Sequence, residues 1–118
     1  MTLYMIELTV RDIALSSSWY QSYLGFTIER DDMANGFILL RGIGGGRLAI
    51  KHGLPQVGGV KLHFEVSNLD SELSRLADLG VTPVSPLITS PEGYRRAIVS
   101  DPDGYLVVLF EWQQVNVY

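Results

Sequence analysis

The stretch V-S-D-P-D-G-Y-L-V-V-L-F-E-W, residues 99–112, decides how this chain of 118 residues is expected to fold. Its centre, Asp101-Pro102-Asp103-Gly104, has the composition of a tight turn, because Asp bonds to nearby backbone, Pro fixes φ and Gly tolerates positive φ. The runs on either side, residues 94–99 and 105–112, are rich in apolar and β-branched side chains, which is typical of strands. The pattern predicts a hairpin, and we interpret the two aspartates as turn residues rather than as a catalytic pair.

The second half of the chain places a strand and a helix before this hairpin. Residues 61–66 alternate between polar and apolar, as a half-buried strand does. Asn68 can cap a helix, a leucine stripe follows at helical spacing, and Gly80 ends it. Residues 81–83 are predicted to begin the next strand.

The first half repeats this plan at an offset of 55 residues. Residues 5–10 alternate, Asp12 can cap a helix, Gly25 ends it, and residues 26–30 start a strand. Two more strand-like runs, 37–41 and 47–52, flank Gly44-Gly45-Gly46, which we interpret as a hairpin turn and not a phosphate loop.

The sequence therefore predicts βαβββ written twice, because such a unit needs its copy to bury its apolar face. We expect an α+β fold in which a curved mixed sheet surrounds a cleft and the helices lie on the outer face. One domain, 1–118, is expected to hold repeat one at about 1–53, a linker at about 53–59 and repeat two at about 60–118.

Composition restricts the class of function. The net charge is −4; residues 1–58 hold five basic and five acidic residues, whereas 59–118 hold four and eight. Nucleic-acid binding is disfavoured because no basic stripe exists, and the acidic half favours a cationic ligand group. The absence of cysteine excludes disulfides and fits the cytoplasm, and no apolar run approaches the length of a membrane span.

Three motifs in this order give the chain its resemblance to a known family. They are V-R-D-I followed by W-Y-Q-S-Y-L-G-F, then L-H-F-E-V-S-N-L-D, then D-P-D-G-Y-L-V-V-L-F-E. The chain resembles the vicinal oxygen chelate superfamily, which includes glyoxalase I, extradiol dioxygenases and bleomycin-resistance proteins.

The resemblance implies a divalent metal held by one side chain from each of four strands. Carried over to this sequence, those positions are Met5, Ala49 (or Lys51 if the register slips by two), Lys61 and Val108. Methionine, alanine and valine are poor ligands for a hard cation, and an ammonium would repel it. We therefore expect no metal and no other cofactor.

Glu7, Lys61 and His63 are the polar residues of greatest interest. One interpretation makes them the polar floor of the cleft, with Glu7 facing Lys61 and with Glu7 and His63 as candidate catalytic groups. The other makes Glu7 and Lys61 an ion pair where the two repeats meet, beside a partly exposed His63. A metal site shifted onto Glu7 and His63 is a further alternative. Phe110 and Trp112 share a face with Val108 and line either the cleft or a packing surface, whereas the aromatic residues of the first helix are expected to pack.

The predicted function is a metal-independent protein that binds and sequesters a planar or aromatic small molecule. Its expected ligand-binding residues are Met5, Glu7, Ala49, Lys61, His63, Val108, Phe110 and Trp112. The alternatives are a cofactor-free lyase or isomerase that uses His63 or Glu7 with Lys61, a metal-dependent enzyme of the glyoxalase or dioxygenase type, and a fold retained without chemistry. A homodimer is expected, with no nucleic-acid or membrane partner.

Overall fold

A computed structural model describes residues 1–113 of the chain, which divide into two compact units. The first unit is Met1–Gly59, and the second begins at Val60. Each unit contains one four-stranded mixed sheet and one α-helix. The repeated βαβββ pattern and the α+β class are confirmed.

The first unit consists of β1 (Ile6–Val10), α1 (Ile13–Leu24), β2 (Thr27–Asp32), β3 (Phe37–Arg41) and β4 (Arg47–His52). Its strand order is β1-β4-β3-β2. β1 and β4 are parallel, while β3 pairs antiparallel with both β2 and β4. The predicted hairpin at Gly44-Gly45-Gly46 is confirmed, because β3 and β4 pair across it and Gly45 has a φ of 92°.

The second unit consists of β5 (Lys61–Glu65), α2 (Leu69–Asp78), β6 (Ile88–Thr89), β7 (Tyr94–Ser100) and β8 (Leu106–Trp112). Its strand order, β5-β8-β7-β6, copies that of the first unit. β5 and β8 are parallel, and β7 pairs antiparallel with β8 and β6.

Local sequence signals fix the ends of both helices. The Asp12 side chain accepts a hydrogen bond from the Leu15 amide at 3.0 Å, and Asn68 does the same for the Ser71 amide at 3.0 Å. Each interaction satisfies a backbone donor that has no partner within the helix. Gly25 ends α1 with a φ of 74°, a conformation that glycine adopts without a steric penalty.

The cores lie between each helix and one face of its sheet. Tyr20 is fully buried and meets Trp19 and Phe26 edge to face, with ring centroids 4.9 and 5.8 Å apart. Trp19 also contacts Tyr23 at 5.7 Å, so the prediction that these helix aromatics pack is confirmed. No helix in the described part of the chain is long and apolar enough to cross a membrane.

The prediction of a strand at residues 81–83 is wrong. The second strand of this unit is instead the two-residue β6, further along the chain. Pro83 and Pro86 interrupt this segment, and a proline has no amide to donate to a neighbouring strand. The Val84 amide bonds the Ile98 carbonyl at 2.8 Å, which ties the segment to β7.

Candidate functional site

The second sheet has one face that α2 covers and one face that points away from it. Glu111 on β8 accepts a hydrogen bond from the Leu69 amide at 2.6 Å, at the start of α2. Arg95 on β7 forms an ion pair with Asp70 of α2, with 3.2 Å between Nη2 and Oδ1. Because side chains alternate along a strand, the neighbours of Arg95 and Glu111 lie on the opposite face.

The strand register arranges that opposite face in rows. One row runs from Lys61 through Leu106 to Ser100, and the next row runs from His63 through Val108 to Ile98. The third row is Glu65, Phe110, Arg96 and Ile88, and the fourth pairs Trp112 with Tyr94. On this face, the side chains of β8 are apolar, those of β5 are polar, and those of β7 are both polar and apolar.

Aromatic rings dominate the last two rows. Phe110 meets Trp112 at 5.4 Å, Tyr94 at 5.9 Å and His63 at 6.3 Å between ring centroids. Tyr94 and Trp112 are 5.7 Å apart, and Trp112 is 56% exposed. We name these four residues, His63, Tyr94, Phe110 and Trp112, the aromatic face. Edge-to-face rings that remain exposed offer flat apolar surface to another aromatic group.

Besides the phenol of Tyr94, this side of the sheet carries Lys61, His63, Glu65 and Arg96. Within residues 1–113, the Arg96 guanidinium has no hydrogen bond and no ion pair, although it is half-buried. Its neighbour Arg95 differs, because the hydrogen bond with Asp70 raises the pKa of Arg95. The two arginines thus lie on opposite faces, as strand alternation predicts.

The acidic excess of the second half lies mostly away from the aromatic face. Three of its acidic residues are on α2, three are in the turns that flank β7, and Glu111 lies on the helix side. Glu65 alone among the described acidic residues of this unit shares the side of the aromatic face. The preference for a cationic ligand, which came from residue counts, is therefore not supported by where the charges lie.

The D-P-D-G stretch is a structural turn. Asp101 is only 5% exposed, and its Oδ1 accepts hydrogen bonds from the amides of Asp103 and Tyr105, both at 2.9 Å. The Gly104 amide donates to the Asp101 carbonyl at 3.1 Å. This turn fixes the start of β8 and therefore the register of the aromatic face.

The first unit places Glu7 beside Ala49 in the β1–β4 register. Glu7 forms an ion pair with Lys51 of the same sheet, with 3.4 Å between Oε1 and Nζ, and both side chains are about half exposed. Met5 precedes β1 and is partly exposed. The expectation that Glu7 faces Lys61, and the roles of Met5, Glu7 and Ala49 in a site, stay predictions.

A second charged cluster of the first unit holds strands together. Arg47 Nε donates to Glu29 at 2.7 Å, and Arg41 approaches the same carboxylate at 3.4 Å. The hydrogen bond from Arg47 lowers the pKa of Glu29 below its usual 4.5. The Tyr4 ring lies 4.4 Å from the Arg47 guanidinium carbon, so the cations of this cluster have partners.

The residues at the four positions where the resemblance implies a metal do not fit one. Ala49 and Val108 are fully buried hydrocarbon, and Lys61 carries an ammonium. Within residues 1–113, no group of three or more His, Cys, Asp and Glu side chains is placed to hold a metal ion. A divalent cation needs several such donors at about 2 Å, so this donor set supports no metal chemistry.

Sequence reasoning did not include Tyr94 and Arg96 in the predicted site. Their position follows from the β7–β8 register, which pairs Tyr94 with Trp112 and Arg96 with Phe110. Counting back from the predicted turn could have found both, because antiparallel partners share a face.

Comparisons with known proteins agree with the fold. The model of the Glyoxalase/Bleomycin resistance protein/Dioxygenase superfamily matches residues 2–109. No curated protein matches the chain.

Several solved structures are similar to the chain. A glyoxalase/bleomycin resistance protein/dioxygenase from Nocardioides is 22% identical over 98% of this chain and 86% of its own, with a TM-score of 0.80. TnmS3, an antibiotic binding protein from Streptomyces sp. CB03234, is 22% identical over 96% and 97%, with a TM-score of 0.81. TioX from Micromonospora sp. ML1 is 24% identical over 94% and 99%, with a TM-score of 0.75. At these identities the likeness concerns the fold.

Proposed function

The chain belongs to the Glyoxalase/Bleomycin resistance protein/Dioxygenase superfamily, and on that premise we propose that it binds a planar, mostly apolar small molecule without a metal and without transforming it. The observation that carries the proposal is the aromatic face, in which the rings of Tyr94, Phe110 and Trp112 contact one another and the His63 ring contacts Phe110. Ligand sites are typically apolar, with a few polar groups that orient the ligand.

The geometry of the rings supports stacking as the main contact. Trp112 is more than half exposed, and Phe110 and Tyr94 support it from two sides at 5.4 and 5.7 Å. A ring that is already held in place loses little conformational freedom when a ligand stacks on it. The antibiotic binding described for TnmS3 makes aromatic antibiotics, including glycopeptides of the bleomycin type, sensible members of a first library.

Binding without catalysis is favoured over the cofactor-free enzyme by the surroundings of His63. Its ring contacts Phe110, and within residues 1–113 its side chain has no hydrogen bond to an acidic group. A histidine that acts as a base in catalysis usually has a partner that orients it. Turnover of any bound compound, lost in His63→Ala, would replace the binding proposal with the enzymatic one.

A calorimetric screen of planar aromatic compounds tests the proposal. A true ligand should saturate at a defined stoichiometry, and Trp112→Ala should weaken its binding about two- to tenfold, because a stacking contact contributes about 0.5–1.5 kcal/mol. Trp19→Phe is the matched control, because Trp19 packs within α1 of the first unit and should leave the affinity unchanged. Failure of a broad library to bind, or equal effects of the two variants, would refute the proposed function.

We further propose that the protein is a homodimer, which the family and the exposed strand edges favour. Among the described residues, β1 and β5 each end their sheet and have one side without a partner strand in that sheet. Such edges are usually covered. Light scattering should give about twice the chain mass of 13.1 kDa, and a monomer at micromolar concentration would contradict this expectation.

A further inference from the structure

We propose that the ligand is an aromatic carboxylate whose anionic group binds Arg96 while its ring stacks on the aromatic face. The inference rests on the proposed function and adds the chemical class of the ligand. It reverses the sign of the charge that residue counts favoured.

Arg96 lies in apolar surroundings, and no described residue forms a hydrogen bond or an ion pair with its guanidinium. The register places Phe110 on one side of it and Ile88 on the other, and Tyr94 and Ile98 precede and follow it on the same face of β7. Glu65 lies beyond Phe110, two strand spacings or about 10 Å from Arg96 in backbone terms. A half-buried guanidinium without a partner gains more from an incoming anion than a solvated one does.

The other charges of the face add to this preference. Lys61 lies on the same side of the sheet, so the described residues there carry two fixed cations against the single carboxylate of Glu65. The face is therefore net positive on a chain whose overall charge is −4.

A carboxylate suits Arg96 better than other anions because both groups are planar. The guanidinium fork can donate two parallel hydrogen bonds to the two carboxylate oxygens. An aromatic acid also keeps its carboxylate close to the ring plane, and Arg96 and Phe110 are adjacent partners in the register. One flat ligand can then contact the ring face and the guanidinium together.

Three probes of one shape separate charge from stacking. Calorimetry with 2-naphthoate, 2-naphthamide and 2-naphthylmethylammonium compares an anion, a neutral compound and a cation that share a ring system. We expect 2-naphthoate to bind at least about tenfold more tightly than 2-naphthamide, because hydrogen bonds between ionised partners are the stronger ones. The cation should bind more weakly than the amide.

Arg96→Met should remove the preference for 2-naphthoate while leaving the affinity for 2-naphthamide within about twofold, because the methionine keeps an apolar stem. Arg95→Met is the matched control, since it removes the neighbouring arginine from the opposite face and should keep the preference. Arg96→Lys should keep a reduced preference, because it retains the charge without the fork.

The salt dependence of the unmodified protein gives a readout that needs no variant. Raising the ionic strength should weaken binding of 2-naphthoate and leave binding of 2-naphthamide nearly unchanged. Equal affinities for the three probes, or a preference that survives in Arg96→Met, would overturn the inference and leave the proposed function intact. If none of the probes binds, the inference fails, and the broad library decides the proposed function separately.

Discussion

Replacing Asp101 tests whether the D-P-D-G turn is the structural element that sets β8 in register. Asp101→Ala removes an acceptor that serves two amides at 2.9 Å, one of which belongs to the fully buried Tyr105. Each buried donor that loses its partner costs about 1–3 kcal/mol. With the Asp103 amide only partly buried, we expect a total loss of about 2–5 kcal/mol, a large share of the usual 5–15 kcal/mol of a domain.

Asp101→Asn is the informative comparison, because its amide oxygen can accept the same two hydrogen bonds. These bonds then lack the ionic contribution, so we expect a smaller loss of about 0.5–1.5 kcal/mol. Glu65→Gln controls for the removal of one negative charge, since Glu65 is exposed and should change stability by less than about 0.5 kcal/mol.

Urea unfolding followed by circular dichroism measures these differences, with the slope in urea checked for constancy. Equal losses for the Ala and Asn variants would show that charge rather than hydrogen bonding stabilises the turn. A loss below about 1 kcal/mol for Asp101→Ala would show that water replaces the carboxylate, and would refute the reasoning from burial.

Substitutions at three further sites test contacts within each of the two units. Glu111→Ala should destabilise by about 1–2 kcal/mol, because the Leu69 amide loses its acceptor at the start of α2, and Glu111→Gln should recover part of the loss in urea unfolding. Gly25→Ala should lower the free energy of unfolding by about 1 kcal/mol, because a φ of 74° disfavours a side chain. Gly44 has no positive φ and open space around it, so Gly44→Ala should have little effect in thermal melts. Glu29→Gln should destabilise the protein at neutral pH. Because the folded-state pKa of Glu29 is lowered, the ionised carboxylate stabilises the fold above the usual pKa of 4.5. The difference between the two proteins should therefore fade as unfolding is measured at progressively lower pH.

Each of these expectations has a clear contrary outcome. A Glu111→Ala protein as stable as the parent would mean that water caps α2 equally well. Equal effects of the two glycine substitutions would show that conformation at the end of α1 is not limiting. A Glu29→Gln difference that does not diminish as the pH is lowered would assign the loss to packing rather than to the ionised carboxylate.

The sequence by itself determined the repeated architecture. Local signals indicated it: the alternation in the strands, the caps at Asp12 and Asn68, and the glycines that end the helices. Such signals can be recognised without knowledge of the rest of the chain. The turn at Asp101 also followed from composition, since Asp, Pro and Gly act on their own backbone. The prediction of a strand at residues 81–83 failed because Pro83 and Pro86 have no amide to donate, so that one hydrogen bond from Val84 reaches β7 before the regular pairing starts at Ile88.

Only the tertiary structure decided what individual side chains contact. Alternation alone places Arg95 and Arg96 on opposite faces, but the position of α2 gives Asp70 to Arg95 and leaves Arg96 on the aromatic face. Glu111 ends an apolar strand in the sequence, yet it caps a helix that begins 42 residues earlier. Residue counts likewise showed that the second half of the chain is acidic, whereas the fold places most of those acidic residues on the helix side of the sheet and in the turns. The physical reason is that partners on strands and helices far apart in the chain meet through sheet pairing, and neither composition nor local periodicity records that pairing.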